Sequence, residues 1–199
     1  MLRLIKWVFL IAVLVIAILV GLILSRDRIG KTAMEQQIRS QTGMDVKIGS
    51  LKTSVLSPVA TIQNLTLYNT ADFGGTPFLH IRELHIEFDR EALAHREMRF
   101  KLLKLNVTEF CVVKNDLGQT NIVTMMANAK LNPPSGAVDF KGIQVANFSI
   151  GKISFLDLKE QRNNRIRNVN LQNQVFRDVN TAGDLYGVFV LLWVRSGGG

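Results

Sequence analysis

Few side chains in this sequence have chemistry to offer: three histidines, His80, His85 and His95, and a single cysteine, Cys111. His80 and His85 are five apart, which in a regular strand sends them to opposite faces, so they make poor joint metal ligands. Cys111 lies in the strand-like run Phe110-Cys-Val-Val113, where a lone thiol behaves as a small core residue. With no second cysteine, neither an intrachain disulfide nor a multi-cysteine metal site can form. The chain has no Gly-x-x-x-x-Gly-Lys-Ser/Thr loop, no Gly-x-Gly-x-x-Gly after a strand and no Gly-x-Ser-x-Gly elbow. The sequence therefore predicts no catalytic residue, no metal site, no cofactor and no enzyme activity.

What remains is charge. Lys159, Arg162, Arg165 and Arg167 cluster with only Glu160 among them, inside a chain of net charge +8. Such a cluster is either a solvated hairpin or a contact with phosphate head groups, the latter worth roughly 1 kcal/mol per charge near an anionic surface. It lacks the interleaved aromatics of a nucleic-acid surface, so no nucleic-acid partner is expected.

The elements that must position these residues begin with an anchor. Trp7 to Leu24 is an uninterrupted run of 18 apolar or small residues. At a helical rise it spans roughly 27 Å, close to a bilayer core. Trp7 has the place of an interfacial aromatic, with Arg3 and Lys6 outside it and Arg26 and Arg28 closing the other end. The far end, Gly21-Leu-Ile-Leu24-Ser25, offers no small-x-small cleavage site, so residues 1–25 are expected to be a retained transmembrane helix. Residues 26–43 continue as a juxtamembrane helix with Ile29, Ala33 and Ile38 on one stripe and Gly43 to stop it.

From Met44 the period changes to two, and residues 44–195 are expected to form one β-rich domain before a flexible tail, 196–199. A loose pattern recurs: apolar, two residues, apolar, one residue, apolar. It occurs at Ile62-Leu65-Leu67, Ile81-Leu84-Ile86 and Leu102-Leu105-Val107, then at Phe140-Ile143-Val145 and Ile166-Val169-Leu171. The step of three would flip the face of an ideal strand, so a bulge is required to hold each triplet together. Short helices are expected at Arg90–His95 and Asn121–Leu131. Later strands are expected at Val138–Val145, Phe148–Phe155, Arg165–Leu171 and Leu185–Val194. The fold class is α+β: transmembrane helix, juxtamembrane helix, then a twisted, mainly antiparallel sheet of up to about nine strands with one apolar face.

The membrane helix runs on to Thr42-Gly43, the strand Val46–Leu51, and Pro58 leading Ala60–Leu67. Phe73-Gly-Gly-Thr-Pro-Phe78, the strand Ile81–Phe88 and Asp116-Leu-Gly-Gln-Thr-Asn121 follow. In this order, the features resemble the N-terminal region of AsmA-like proteins, bacterial envelope relatives of chorein-type lipid-transfer proteins. The resemblance covers roughly residues 1–122. Leu117 interrupts the family's Asp-Gly pair, and Ile122 stands where the family often has an aromatic. The resemblance implies a single-pass protein of the bacterial inner membrane with a periplasmic domain that binds or handles lipid. Ile62, Leu65, Leu67, Ile81, Leu84, Ile86, Leu102, Leu105 and Val107 would face acyl chains, and Lys159, Arg162, Arg165 and Arg167 the head groups. The other expectation is a non-enzymatic accessory subunit whose apolar face docks on a larger membrane protein complex or on a second copy. N-terminal sequencing of the mature protein should find the anchor retained; a chain starting after Ser25 would overturn that.

Overall fold

A computed structural model of the chain describes residues 30–54, 58–95, 97–131 and 139–196. The anchor expected over 1–25, the first residues of the helix expected over 26–43 and all of the tail but Ser196 lie outside those limits. Among the described residues no helix is long and apolar enough to cross a membrane.

Six strands lie side by side in chain order: β1 (Asp45–Ser54), β2 (Val59–Tyr68), β3 (Pro77–Phe88), β4 (Glu97–Lys114), β5 (Asp139–Asp157) and β6 (Arg165–Val179). The helices are α1 (Lys31–Thr42), α2 (Arg90–Ala94), α3 (Asn121–Leu131) and α4 (Ala182–Arg195). Gly43 ends α1 in the left-handed region at φ 69°, as its sequence position implies. The sheet is antiparallel except at its centre, where β4 and β5 run parallel. A parallel neighbour needs a crossover connection, and the chain between Lys114 and Asp139, with α3 in it, provides one.

Two expectations about elements are corrected. The strands expected at Val138–Val145, whose first residue lies outside the described residues, and at Phe148–Phe155 are not separate but belong to the single 19-residue β5. Leu185–Val194 is not a strand but most of α4. The reason is a reciprocal cap at its start. The Asp184 carboxylate accepts from the Asn180 and Thr181 N–H groups at 2.9 and 2.8 Å, and the Thr181 hydroxyl accepts the Asp184 N–H at 3.1 Å. That box satisfies the open amides of a first turn, and Val188 and Leu192, four apart, give the helix a buried side.

The step of three is real, and it organises the sheet. On β1, β2 and β3 the inward face passes from Ile48 to Leu51, from Leu65 to Ile62 and from Ile81 to Leu84, and these residues are direct neighbours across the strands. The extra residue on β2, Asn64, has φ 53°, a conformation its short amide tolerates. β4 and β5 make two such crossings, again opposite each other: Phe100 to Leu103 beside Ile143 to Ala146, and Val107 to Phe110 beside Ile150 to Ile153. The triplets on these strands are therefore Phe100-Leu103-Leu105 and Ile143-Ala146-Phe148. Leu102 is half-buried on the opposite face, Val145 is half-buried, and Ile166 at the start of β6 is 67% exposed. At the junction of the two blocks, β3 against β4, the register shifts three times.

One side of the sheet is covered by helices. Met34 and Ile38 of α1, Ile122 and Met125 of α3, and Val188 and Leu192 of α4 join the inward strand residues in one core. On the other side the loop residue Phe73 covers a small second cluster with Cys111 and Val113. β4 outruns β3, whose pairing stops at Leu79–Phe110, so the end of β4 needs other partners. Asn121, fully buried, supplies them: its Oδ1 accepts the Val113 N–H at 3.1 Å and its Nδ2 donates to the Cys111 carbonyl at 2.9 Å. The same Nδ2 donates to Asn69 Oδ1 at 2.7 Å, tying the start of α3 to the end of β2.

The crossings require close backbone approach. A Cβ on Gly151 would press on the Thr108 carbonyl oxygen and lie 3.2 Å from its carbon; one on Gly49 would lie 2.9 Å from the Gln63 oxygen. Gly151→Ala forces backbone against backbone in the middle of the sheet and should cost about 1–3 kcal/mol, read as a lower denaturant midpoint. An unchanged midpoint would mean the crossing is not held rigidly there.

Candidate functional site

Eight of the nine residues expected to line an apolar groove share the inward face. Ile62, Leu65, Leu67, Ile81, Leu84 and Ile86 are 0% exposed, Val107 1% and Leu105 4%. Leu102 is the exception, because the crossing at Phe100–Leu103 gives Leu103 the inward place. The inward face is not an open groove here. Fully burying a Leu or Ile contributes roughly 2 kcal/mol, so uncovering four of them would cost about 8 kcal/mol, within the range of a whole domain's stability. Over β1 to β4 this surface is the core under α1 and α3.

Cover thins at both edges of the sheet, at Leu51 on β1 and over a larger area toward β6. Ile153 and Phe155 of β5, Leu171 and Phe176 of β6 and Leu185 of α4 pack against the core but are only half-buried. The Phe148 and Phe176 rings meet at a tilt of 53° with their centres 6.1 Å apart, and the Arg195 guanidinium lies 5.6 Å from the centre of the Phe176 ring. The groove-lining expectation omitted Phe176. Its signal was present in the spacing Leu171-x-x-Gln174-x-Phe176, the same step of three, hidden because Gln174 occupies the middle place.

The basic residues divide. Lys159, Arg162 and Arg165 are exposed around the turn that joins β5 to β6, with Arg162 3.3 Å from Glu160. Arg167 is half-buried and donates from Nη2 to the Ser196 carbonyl, fastening the end of α4 to β6. The turn itself hangs on Asp157. Its carboxylate accepts the Lys159 and Glu160 N–H groups at 3.1 and 3.0 Å and the Lys114 ammonium at 3.1 Å. No motif around Asp157 marks it for this role.

The outward face of the sheet is polar. His80 and His85 both lie on it, against the expectation of opposite faces, because the crossing between Ile81 and Leu84 adds a residue between them. They remain apart in partners: the His80 Nδ1 is 2.8 Å from the Thr108 hydroxyl, the His85 Nδ1 2.7 Å from that of Thr61. Among the described residues no group of His, Cys, Asp or Glu is arranged to hold a metal. An open cleft of about 740 Å³ lies where β1 begins and β2 ends, lined by Arg39, Asp45, Lys47, Tyr68 and Thr70 among others. Arg39 and Asp45 pair across it at 2.9 Å.

Comparison with protein families, with curated proteins and with solved structures finds no match to this chain.

The N–H groups and the ammonium around Asp157, above all that of Glu160, hold its carboxyl below the ordinary carboxylate range, and the cap at Thr181 and Asn180 does the same for Asp184. Both therefore add stability above their unfolded value of about 3.9 and lose it as pH falls through the lower folded value. Thermal stability should fall progressively below about pH 4, and Asp157→Asn should flatten part of that acid slope. An identical slope in the variant would remove Asp157 from this role.

Proposed function

We propose that this chain is a membrane-tethered envelope protein of the AsmA-like kind, held in a bacterial inner membrane with its β-rich domain in the periplasm. In this reading it binds or handles lipid where the apolar face is incompletely covered, between β6 and α4. The observation that carries the reading is the gradient of cover. Inward residues of β2 and β3 are fully buried, whereas Leu171, Phe176 and Leu185 at the other side of the same face are half-buried. An acyl chain laid there would complete the burial that the chain's own side chains leave unfinished. The apolar run from Trp7 to Leu24 supplies the tether.

A second reading is favoured by a different observation. The eight sealed residues on the inward face leave no groove along most of the sheet. A non-enzymatic accessory subunit, docked on a larger membrane complex or on its own copies, needs no groove at all.

The full chain, purified in mild detergent, should carry phospholipid detectable by extraction and mass spectrometry. Leu171→Asn combined with Phe176→Asn should lower that lipid several-fold at a smaller stability cost per residue than a sealed position pays, since both side chains are only half-buried. Leu84→Asn, by contrast, buries an amide without partners and should cost on the order of 1–3 kcal/mol besides lost packing. Absence of lipid together with a stoichiometric protein partner would reject the first reading in favour of the second.

A further inference from the structure

α4 has almost no polar side. Of its 14 residues only Asp184 and Arg195 are charged, and Val188 and Leu192 face the core. Its outward surface carries Tyr186, Leu191 and Val194, which are 52, 47 and 55% exposed. A Cβ on Gly187, between them, would meet nothing within 4 Å. A helix that is apolar on both sides needs cover on both. α3, in the same layer, adds Val123 at 62% exposure, so half of the eight large exposed apolar residues among those described stand on the helix layer.

We propose that this helix layer, and not the β5–β6 turn, is the face turned to the bilayer, with the outward stripe of α4 bedded in the lipid interface. The inference rests on the membrane reading given above and adds to it which surface meets lipid. Three observations choose lipid as the occupant. First, the apolar run ends at Leu24, and only residues 25–30 separate it from Lys31, the first residue of α1. Six residues reach at most about 20 Å, so the start of α1, on the same side of the sheet as α4 though at the other edge, is held close to wherever that run enters lipid. Second, the charges around α4 suit an anionic surface. Arg195 closes its end, held by Gln174 Oε1 at 2.7 Å on the neighbouring strand, and the one carboxylate of the helix, Asp184, stands at the opposite end in the cap. Third, α4 is about 21 Å long, too short to span a bilayer but sufficient to lie in its interface. The opposite face of the sheet has exposed apolar residues only at its β6 edge, Ile166 and Val175, and is otherwise laced with ion pairs such as Lys104–Glu83 at 3.2 Å and Lys152–Glu109 at 3.0 Å.

The test uses the full chain, tether included, reconstituted into vesicles of phosphatidylcholine and phosphatidylglycerol. An environment-sensitive fluorophore is attached at Leu191→Cys and, separately, at Lys101→Cys on the exposed outward face of β4. The native Cys111 does not compete at neutral pH, because burial, with Glu109 nearby, pushes its thiol up to about 11. Expected is several-fold stronger quenching by spin-labelled lipid at 191 than at 101, and the reverse with aqueous iodide. Iodide quenching equal at the two positions would overturn the proposal, as would a label at 191 shielded from both quenchers, which signifies a protein partner. Either result leaves the lipid-binding reading standing. A chain that stays in the supernatant instead rejects the tether, and with it both.

Discussion

Alternation is the rule that makes a sheet two-faced, and this sheet survives only because neighbouring strands break the rule together. A strand that adds one residue turns all of its later side chains over. If β2 did so alone, Leu65 and Leu67 would leave the core while Ile62 stayed. Because Ile48, Leu65 and Ile81 cross beside Leu51, Ile62 and Leu84, the apolar surface stays continuous. The helices depend on that continuity: Met34, Ile38, Met125 and Leu192 have a common floor to pack on only while all six strands keep their apolar residues on one side. The irregular positions follow from the same demand. Gly49 and Gly151 stand where a neighbouring strand's backbone comes too close for a side chain, and Asn64 where the chain turns left-handed.

The centre of the sheet meets a second demand. Pairing β4 with β5 in parallel leaves the end of β4 beyond the reach of β3, with backbone groups that burial would otherwise strand. Asn121 answers with one amide what a strand would answer with a peptide: it accepts from Val113 and donates to Cys111. Its further bond to Asn69 joins the crossover helix to the loop that covers the opposite face with Phe73. The crossover, the sheet end and the second small core are thus held by one side chain.

Much of this was legible in the residues. The period of two, the Gly43 stop, the short helices and the apolar triplet with its need for a bulge all follow from side-chain chemistry and spacing. The frame of the triplet did not follow on β4, because Leu102 and Leu103 are adjacent and equally apolar, and only the pairing with β5 decides between them. The parallel pair had a signal in the helix expected at Asn121–Leu131, since a helix between two strands is the crossover such a pair requires, but the uniform apolar triplet pointed to an antiparallel sheet throughout. α4 was misread through its β-branched and aromatic run, whereas Thr181 and Asp184 carried the helix signal. Of the candidate site, the basic turn was visible as composition; that Arg167 is spent on the Ser196 carbonyl was not, because its partner lies 29 residues away.

β6 shows what the edges of this sheet permit. The opposite edge is closed by α1, where Glu35 accepts the outward Ile48 N–H at 2.7 Å. β6 has no helix alongside to do this, but Asn170, Asn173 and Asp178 are all left-handed, at φ 51, 48 and 56°. Each such residue swings the next amide out of line, and the Asn173 N–H turns back to the Ser149 hydroxyl at 3.0 Å. A template for edge-to-edge growth needs a straight row of unpaired groups, and this row is interrupted three times. The 15-residue edge strand is therefore a poor template for cross-β growth, and strands added from other chains find no continuous ladder to extend.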